Sequence, residues 1–421
     1  MFARVKLMAL AAGLVMASAG AQARTIVLTV NNPTDPQTYS SISAAVAAAN
    51  ADLNLDNYYD IKVATGTYTN DFANVLRPMT IEAAGGPVRL LATVPPLFNK
   101  GIIVTTSSLT VRGLTFEGAA IDASLGGNGA GIRDQSAGAT TLRVENSTFL
   151  NNQDAILTAG SNYQETVQII NSTFLNNGSG TGQTHALYVG DALSLLVENS
   201  VFCGTLEGHN IKSRAMNTTV RGSQIYDGAT GVGCNSAGTT SYAIESTNGG
   251  KVIINDVDIF QGSGTHNTTM VRFGAEGLFP GPTINSLLVS NTNFTSGNFG
   301  IGIQAPANAT GCTLSNTTFT GVTTPVSPPS FCTTSTQPDV SPDGSTISGG
   351  TGTLVTAHGT WTFGAPASPG NWLILLGGMH ASGGVASELE VTNGGQMYAF
   401  GQDNRWYVWQ GGAWALTTYS P

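Results

Sequence analysis

Apolar and polar positions alternate in a phrase that returns eight times between residues 109 and 319: LTVRGLTF, LRVENSTF, VQIINSTF, LLVENSVF, TTVRGSQI, VIINDVDI, LLVSNTNF and CTLSNTTF. Each phrase ends on a large apolar residue, at Phe116, Phe149, Phe174, Phe202, Ile225, Ile259, Phe294 and Phe319. Another apolar residue stands five positions earlier, at Val111, Val144, Ile169, Val197, Val220, Ile254, Val289 and Leu314. The period of two predicts strands with one side turned inward. Three residues before each end the occupant is always Gly, Asn or Asp, the residues that reach left-handed backbone dihedrals most easily, so each phrase is expected to bend there. Spacings of 23 to 35 residues fall in the range where repeats stack into solenoids.

A second strand family lies between the phrases: GIRD, AILT, ALYV, NIKS, AIES, MVRF and GIQA. Its inward residues are predicted to be Ile132, Ile156, Leu187, Ile211, Ile244, Val271 and Ile303. Two strand types per coil, joined by loops of varying length, describe an all-β chain folded as a right-handed parallel β-helix. The next residue of each strand then faces outward, which places Arg133, Leu157, Tyr188, Lys212, Glu245, Arg272 and Gln304 in one column, about 4.8 Å apart.

Different patterns flank the rod. Residues 40–51, SSISAAVAAANA, predict a short helix capped by Ser40 or Ser41, with Ile42, Val46 and Ala49 on one face as a lid over the first coil. Residues 59–70 and 78–91 are expected to form the opening coils. A Pro-, Ser- and Thr-rich stretch is expected to end the rod near Phe331. All five tryptophans follow it, at 361, 372, 406, 409 and 414, among short aromatic strands with Gly turns. The expected division is a signal peptide over 1–23, a β-helix over 24–332, a linker over 333–344 and a small all-β Trp-rich module over 345–421.

Composition adds a compartment. Arg4 and Lys6 precede an apolar run from Leu7 to Met16, and Ala21–Gln22–Ala23 predicts cleavage after Ala23, so a secreted or periplasmic protein without a membrane span is expected. Losing Arg4 and Lys6 takes the formal charge from −9 to −11, which argues against nucleic acid as a partner. In an oxidising compartment the simplest pairing of the four cysteines joins Cys203 to Cys234 and Cys312 to Cys332. No Cys/His cluster has metal-ligand spacing. A monomer is expected.

Candidate chemistry concentrates on EGHNIKSRAMNTTVRG. Charged residues are only 10% of the chain, yet Lys212, Glu245 and Arg272 stand in the outward column, with Arg214 on the same side as Lys212. His185, Asp191, Glu207 and His209 lie in adjoining loops, and Arg133 and Tyr188 on neighbouring coils are candidate substrate contacts. β-Elimination on a uronic acid needs a base for the C5 proton, a cation or metal for the carboxylate, and an acid for the leaving oxygen. The competing expectation is a surface salt-bridge ladder of Lys212, Glu245 and Arg272 that contributes little per pair. In the Trp-rich module, Trp406, Trp409 and Trp414 are candidates for stacking on sugar rings, against the alternative that they fill a core.

The repeats, the preceding helix and GTY in the opening coil resemble the pectate-lyase-like superfamily of right-handed β-helix proteins over roughly residues 25 to 335. NIKSRAMNTTVRG resembles the K-S-x-x-N-T segment of alginate lyases and chondroitinase-B-like lyases. That resemblance implies Lys212 as base, Arg214 or Arg272 as helper, and calcium as a cofactor that neutralises the substrate carboxylate, whereas Glu245 stands where those lyases carry a cation. Those lyases carry R-H-G one coil later, where this chain reads SYAIESTNGG. GHNIKSRA, NGAGIR and STNGG are similar to exported bacterial β-helix proteins with no assigned activity.

Three functions fit: a lyase or epimerase acting on an acidic polysaccharide, a noncatalytic glycan-binding or adhesive surface protein, and a structural rod of the envelope. A cleft over the NIKS strand, built by the long loops after Phe174, Ile225 and Val271, favours the first. A bare flat sheet favours the others.

Overall fold

A computed structural model describes residues 24–231, 233–281, 285–334, 340–356, 358–392, 395–410 and 412–417. The expected signal segment lies outside them. Parallel strands stack into an 18-stranded sheet and a 10-stranded sheet, which face each other across one apolar core. The corner residues crease the first sheet into two faces. All eight, Gly113, Asn146, Asn171, Asn199, Gly222, Asp256, Asn291 and Asn316, have φ between 42° and 68°. A side chain with a branched Cβ is strained in that region, whereas Gly, Asn and Asp enter it at low cost.

Register turns the repeat into columns. Phe116, Phe149, Phe174, Phe202, Ile225, Ile259, Phe294 and Phe319 pair in succession along the first sheet. The rings of Phe116, Phe149, Phe174 and Phe202 stack at centroid distances of 4.9, 5.0 and 4.4 Å. In the second sheet Ile103, Ile132, Ile156, Leu187, Ile211, Ile244, Val271, Ile303 and Val326 form the facing column. The second sheet therefore starts earlier than the repeats suggest, with strands Ala73–Val75 and Gly101–Thr105, and runs through Thr324–Ser327.

A polar column accompanies the apolar ones. One residue beyond the corners at Asn146, Asn171, Asn199 and Gly222, Ser147, Ser172, Ser200 and Ser223 are buried. The backbone N–H of Ser147 donates to Ser172 Oγ at 3.2 Å, that of Ser172 to Ser200 Oγ at 3.1 Å, and that of Ser200 to Ser223 Oγ at 3.1 Å. Each hydroxyl donates back to the carbonyl two residues before it. The serines thus satisfy buried N–H groups that the bend removes from the ladder.

The first coil is covered by the helix Ile42–Asn50, capped by Ser41, whose side chain accepts from Ala44 N, and by Asp71, which accepts from the N–H groups of Ile42 and Ser43. Ile42, Ala45, Val46 and Ala49 face the core. At its other end the buried guanidinium of Arg77 donates to the carbonyls of Ala49, Asp52, Asn54 and Asn57. At the far end of the rod, Cys332–Thr334 pair with Cys312–Leu314, and Cys312 and Cys332 form a disulfide between consecutive coils. The other disulfide joins Cys203 and Cys234. Among the described residues no helix is long and apolar enough to cross a membrane.

After the rod, eight antiparallel strands between Ser345 and Leu416 form a separate sheet with its own core. Trp361, Trp409 and Trp414 meet edge to face there, with centroids 5.1 to 5.7 Å apart.

Ser172→Ala removes the acceptor of the buried Ser147 N–H and should lower the unfolding free energy by about 1–3 kcal/mol, measured by denaturant titration. A loss under 0.5 kcal/mol would show that the serine column is not a structural element.

Candidate functional site

The outward row of the second sheet is set by ladder pairing: Arg133 with Leu157, Leu157 with Tyr188, Tyr188 with Lys212, Lys212 with Glu245, Glu245 with Arg272, and Arg272 with Gln304. Its first half lies in a cleft of about 830 Å³ lined by Arg133, Leu157, His185, Tyr188, Lys212 and Arg214, with Asp191 and Glu276 at the loops. Loops after Phe174 and Val271 help to build it, supplying Gln183 and Glu276, whereas the loop after Ile225 contributes no lining residue. The segment between Thr158 and Thr166 adds Ala159 and Gly160. Its Tyr163 meets Phe279, from the loop that carries Glu276, edge to face at 5.3 Å.

Within the cleft the cations converge on one carboxylate. Arg214 Nη2 lies 2.7 Å from Glu276 Oε2, and Lys212 Nζ lies 3.7 Å from Glu276 Oε1. Arg214 also donates through Nε to Tyr188 Oη at 2.9 Å and through Nη1 to Asn248 Oδ1 at 3.2 Å. Lys212 Nζ stands 5.8 Å from the centre of the Tyr188 ring. The Glu276 side chain is 48% exposed, while those of Lys212 and Arg214 are 16% and 23% exposed. An exposed acid therefore seats on two recessed cations.

A second column runs along the strand starts. Asp154 Oδ1 accepts from His185 N at 2.7 Å, and His185 Nδ1 accepts from His209 N at 3.0 Å. The lone pair used at Nδ1 puts the proton of the neutral ring on Nε2. Burial, followed by the nearby His209, Lys212 and Arg214, holds His185 well below its ordinary range, so it is neutral at pH 7. His209 Nε2 contacts Glu245 Oε2, and His209 packs against Tyr242 at 4.9 Å. Burial alone would raise the Glu245 carboxyl. The His209 contact and the Lys212 charge outweigh it and leave that carboxyl below its usual range.

These contacts redistribute the sequence candidates. Arg133, His185, Tyr188, Asp191, Lys212 and Arg214 come together in the cleft. Glu245 and His209 are 3% and 8% exposed and are sealed against each other beside it. Arg272 lies two coils beyond Lys212 and does not line the cleft. Glu207 does not line the cleft and lies 3.5 Å from His266. The expected ladder of Lys212, Glu245 and Arg272 does not form, because Glu245 turns to His209 and Lys212 turns to Glu276. A charge ladder exists instead on the first sheet, where Lys62, Glu82, Arg112 and Glu145 alternate along consecutive coils. Glu276 was not among the sequence candidates. Its one signal is that it is the only acid in the loop after TMVRF.

The Trp-rich sheet separates its own candidates. Trp409 is 7% exposed and packs on Trp361, so its ring belongs to the core and offers no face to a ligand. Trp406 packs on Phe400 at 5.2 Å. Trp414 is half-buried and lines a groove of about 380 Å³ with Gln402, Asp403 and Tyr407.

Calcium takes six to eight oxygen ligands, largely from carboxylates and carbonyls. The cleft offers Asp191 and a Glu276 already neutralised by two cations, and three cationic side chains line the same surface. Among the described residues no three His, Cys, Asp or Glu side chains are grouped to hold a metal. The donor set does not fit calcium, and no step is routed through it.

A buried acid pair lies at the strand ends below the cleft. Burial, then the Asp134 carboxyl beside it, pushes Glu165 up to about 10, and burial pushes Asp154 up to about 8. An acid with a raised folded-state pKa contributes stability that is full below the unfolded value and is lost as pH rises toward the folded one. Glu165→Gln should therefore gain on the parent as pH rises from 5 to 9, by up to about 4 kcal/mol at pH 8. Thermal melts across that range test it, and a constant difference between the two proteins would refute the buried-acid assignment.

No curated protein and no solved structure matches the chain. Residues 154–347 match the family model described as a right handed beta helix region, in agreement with the stacked parallel sheets that carry the cleft.

Proposed function

We propose that the cleft on the second sheet binds an acidic polysaccharide and abstracts the C5 proton of a uronate ring, as a lyase or epimerase does. One observation carries this reading: Lys212 and Arg214 together already hold a carboxylate, that of Glu276. A uronate carboxylate has the same charge and geometry and would take its place when Glu276 swings toward solvent. Arg214 then fixes the substrate carboxylate and offsets the charge that grows on it. The Tyr188 ring, beside Lys212, offers a face to the sugar, and His185 offers an Nε2–H donor.

In this reading Lys212 takes the C5 proton. In elimination the electron pair released forms the C4=C5 double bond, the C4–O bond breaks, and the leaving oxygen picks up a proton. In epimerisation the C5 carbanion is reprotonated from the opposite face. The chain's division into a signal peptide over 1–23, a rod over 24–332, a linker over 333–344 and a module over 345–421, with export to the periplasm or medium, belongs to the same proposal.

The groove beside Trp414 favours an additional glycan-binding role for the module, in which Tyr407 and Trp414 pack on a sugar and Gln402 and Asp403 bind its hydroxyls.

Incubation of the full chain with polyuronates should generate ultraviolet absorbance from unsaturated ends, or a changed C5 configuration by NMR. Lys212→Ala should abolish either product, and Arg214→Ala should lower kcat/KM by about 100-fold. Activity that survives Lys212→Ala removes lysine as base, and binding without either product leaves a noncatalytic receptor. Glu276→Gln should tighten uronate binding by roughly two- to fivefold, the weight of one partly exposed ion pair. Unchanged affinity would mean that Glu276 does not occupy the substrate's site.

A further inference from the structure

The cleft has a third cation, at the end away from Glu276. Arg133 stands three positions before Lys212 in the outward row, separated by Leu157 and Tyr188. Three strand spacings put the two about 14 Å apart. Unlike Lys212 and Arg214, Arg133 has no ion-pair partner among the described residues, and its Nε and Nη1 are buried without a hydrogen-bond acceptor.

An unpaired, partly desolvated guanidinium is costly, and the usual remedy is an anion that accepts from both arms of its fork. The acid whose field reaches Arg133 is Asp154. That carboxyl is spent on the backbone N–H of His185, and burial pushes it up to about 8, so it is largely uncharged at pH 7. Nε and Nη1 are sealed inside, and Nη2 is the arm of the guanidinium left toward the cleft that Arg133 lines.

We propose that Arg133 is a second anion subsite, so that the cleft reads two acidic groups three rings apart on one polyuronate strand. This rests on the acidic-polysaccharide reading of the cleft and adds a length requirement to it. A pyranose in an extended chain advances by about one strand spacing, so a ring at Lys212 and Arg214, two rings over Tyr188 and Leu157, and a ring at Arg133 make four. The apolar Leu157 and the aromatic Tyr188 suit the faces of the two middle rings, and the guanidinium suits the carboxylate of the last. Shorter oligomers reach only one of the two cationic ends.

Calorimetric titration of the full chain with oligogalacturonates and oligomannuronates of two to six rings tests this; if they are cut, the same series is read as kcat/KM. Affinity should step up by about tenfold or more between three and four rings, because the second contact forms within an already bound ligand. Arg133→Ala should remove the step and leave two- and three-ring ligands within twofold of the parent. Arg133→Lys, which keeps the charge and loses the fork, should keep part of the step, with circular dichroism showing both variants folded. A smooth rise with length, or an equal loss at every length in Arg133→Ala, overturns the subsite while the main reading stands. Failure of every oligomer to bind, with Arg214→Ala also without effect, overturns both.

Discussion

Every coil of this protein must hydrogen-bond to the next through parallel strands about 4.8 Å apart, and that spacing governs the rest. A residue at one position lies directly against its counterpart one coil away, so each position is tested against itself. Inside, this favours side chains that stack on copies of themselves, which flat phenyl rings do in the run from Phe116 to Phe202. At the corners it favours residues that tolerate a positive φ, and next to them a hydroxyl that passes a hydrogen bond to the neighbouring coil. Outside, the same spacing forces charges into rows, where they either alternate or find partners in the loops.

The two outer faces resolve that last constraint differently. On the first sheet Lys62, Glu82, Arg112 and Glu145 alternate in sign and neutralise one another. On the second sheet Glu245 leaves the row for His209, and Lys212 faces a cleft where Glu276 from a loop meets it and Arg214. The pairing of His209 with Glu245 thus does more than satisfy two buried groups. It keeps an acid from cancelling Lys212 from the next coil.

Local periodicity made the columns legible in advance. The inward residues of both strand families, the eight corners, the capping helix and both disulfides follow from patterns that repeat within a few residues of each other. What was not legible depends on loops of unequal length, which obey no repeat. Glu276 reaches Lys212 across residues that show no pattern, and Arg77 reaches the end of the helix from a coil whose sequence reads only as a strand start. Glu207 shows the converse: close to Lys212 in sequence, it does not line the cleft and meets His266 instead. Trp409 was ambiguous because strand alternation says which residues share a face, and only the packing against Trp361 says which face is inside.

A stack of coils would ordinarily fray from its termini, since the outermost coil has one neighbour where the others have two. Here the two terminal coils are fastened by unlike means. At one end Arg77 gathers four carbonyls and locks the helix over the core; at the other a covalent link between Cys312 and Cys332 ties the last coil to its neighbour. Reducing agents should reach only the covalent fastening, so in their presence the rod should loosen first at the end that Cys332 closes, and the direction from which it unravels becomes a property of the surroundings.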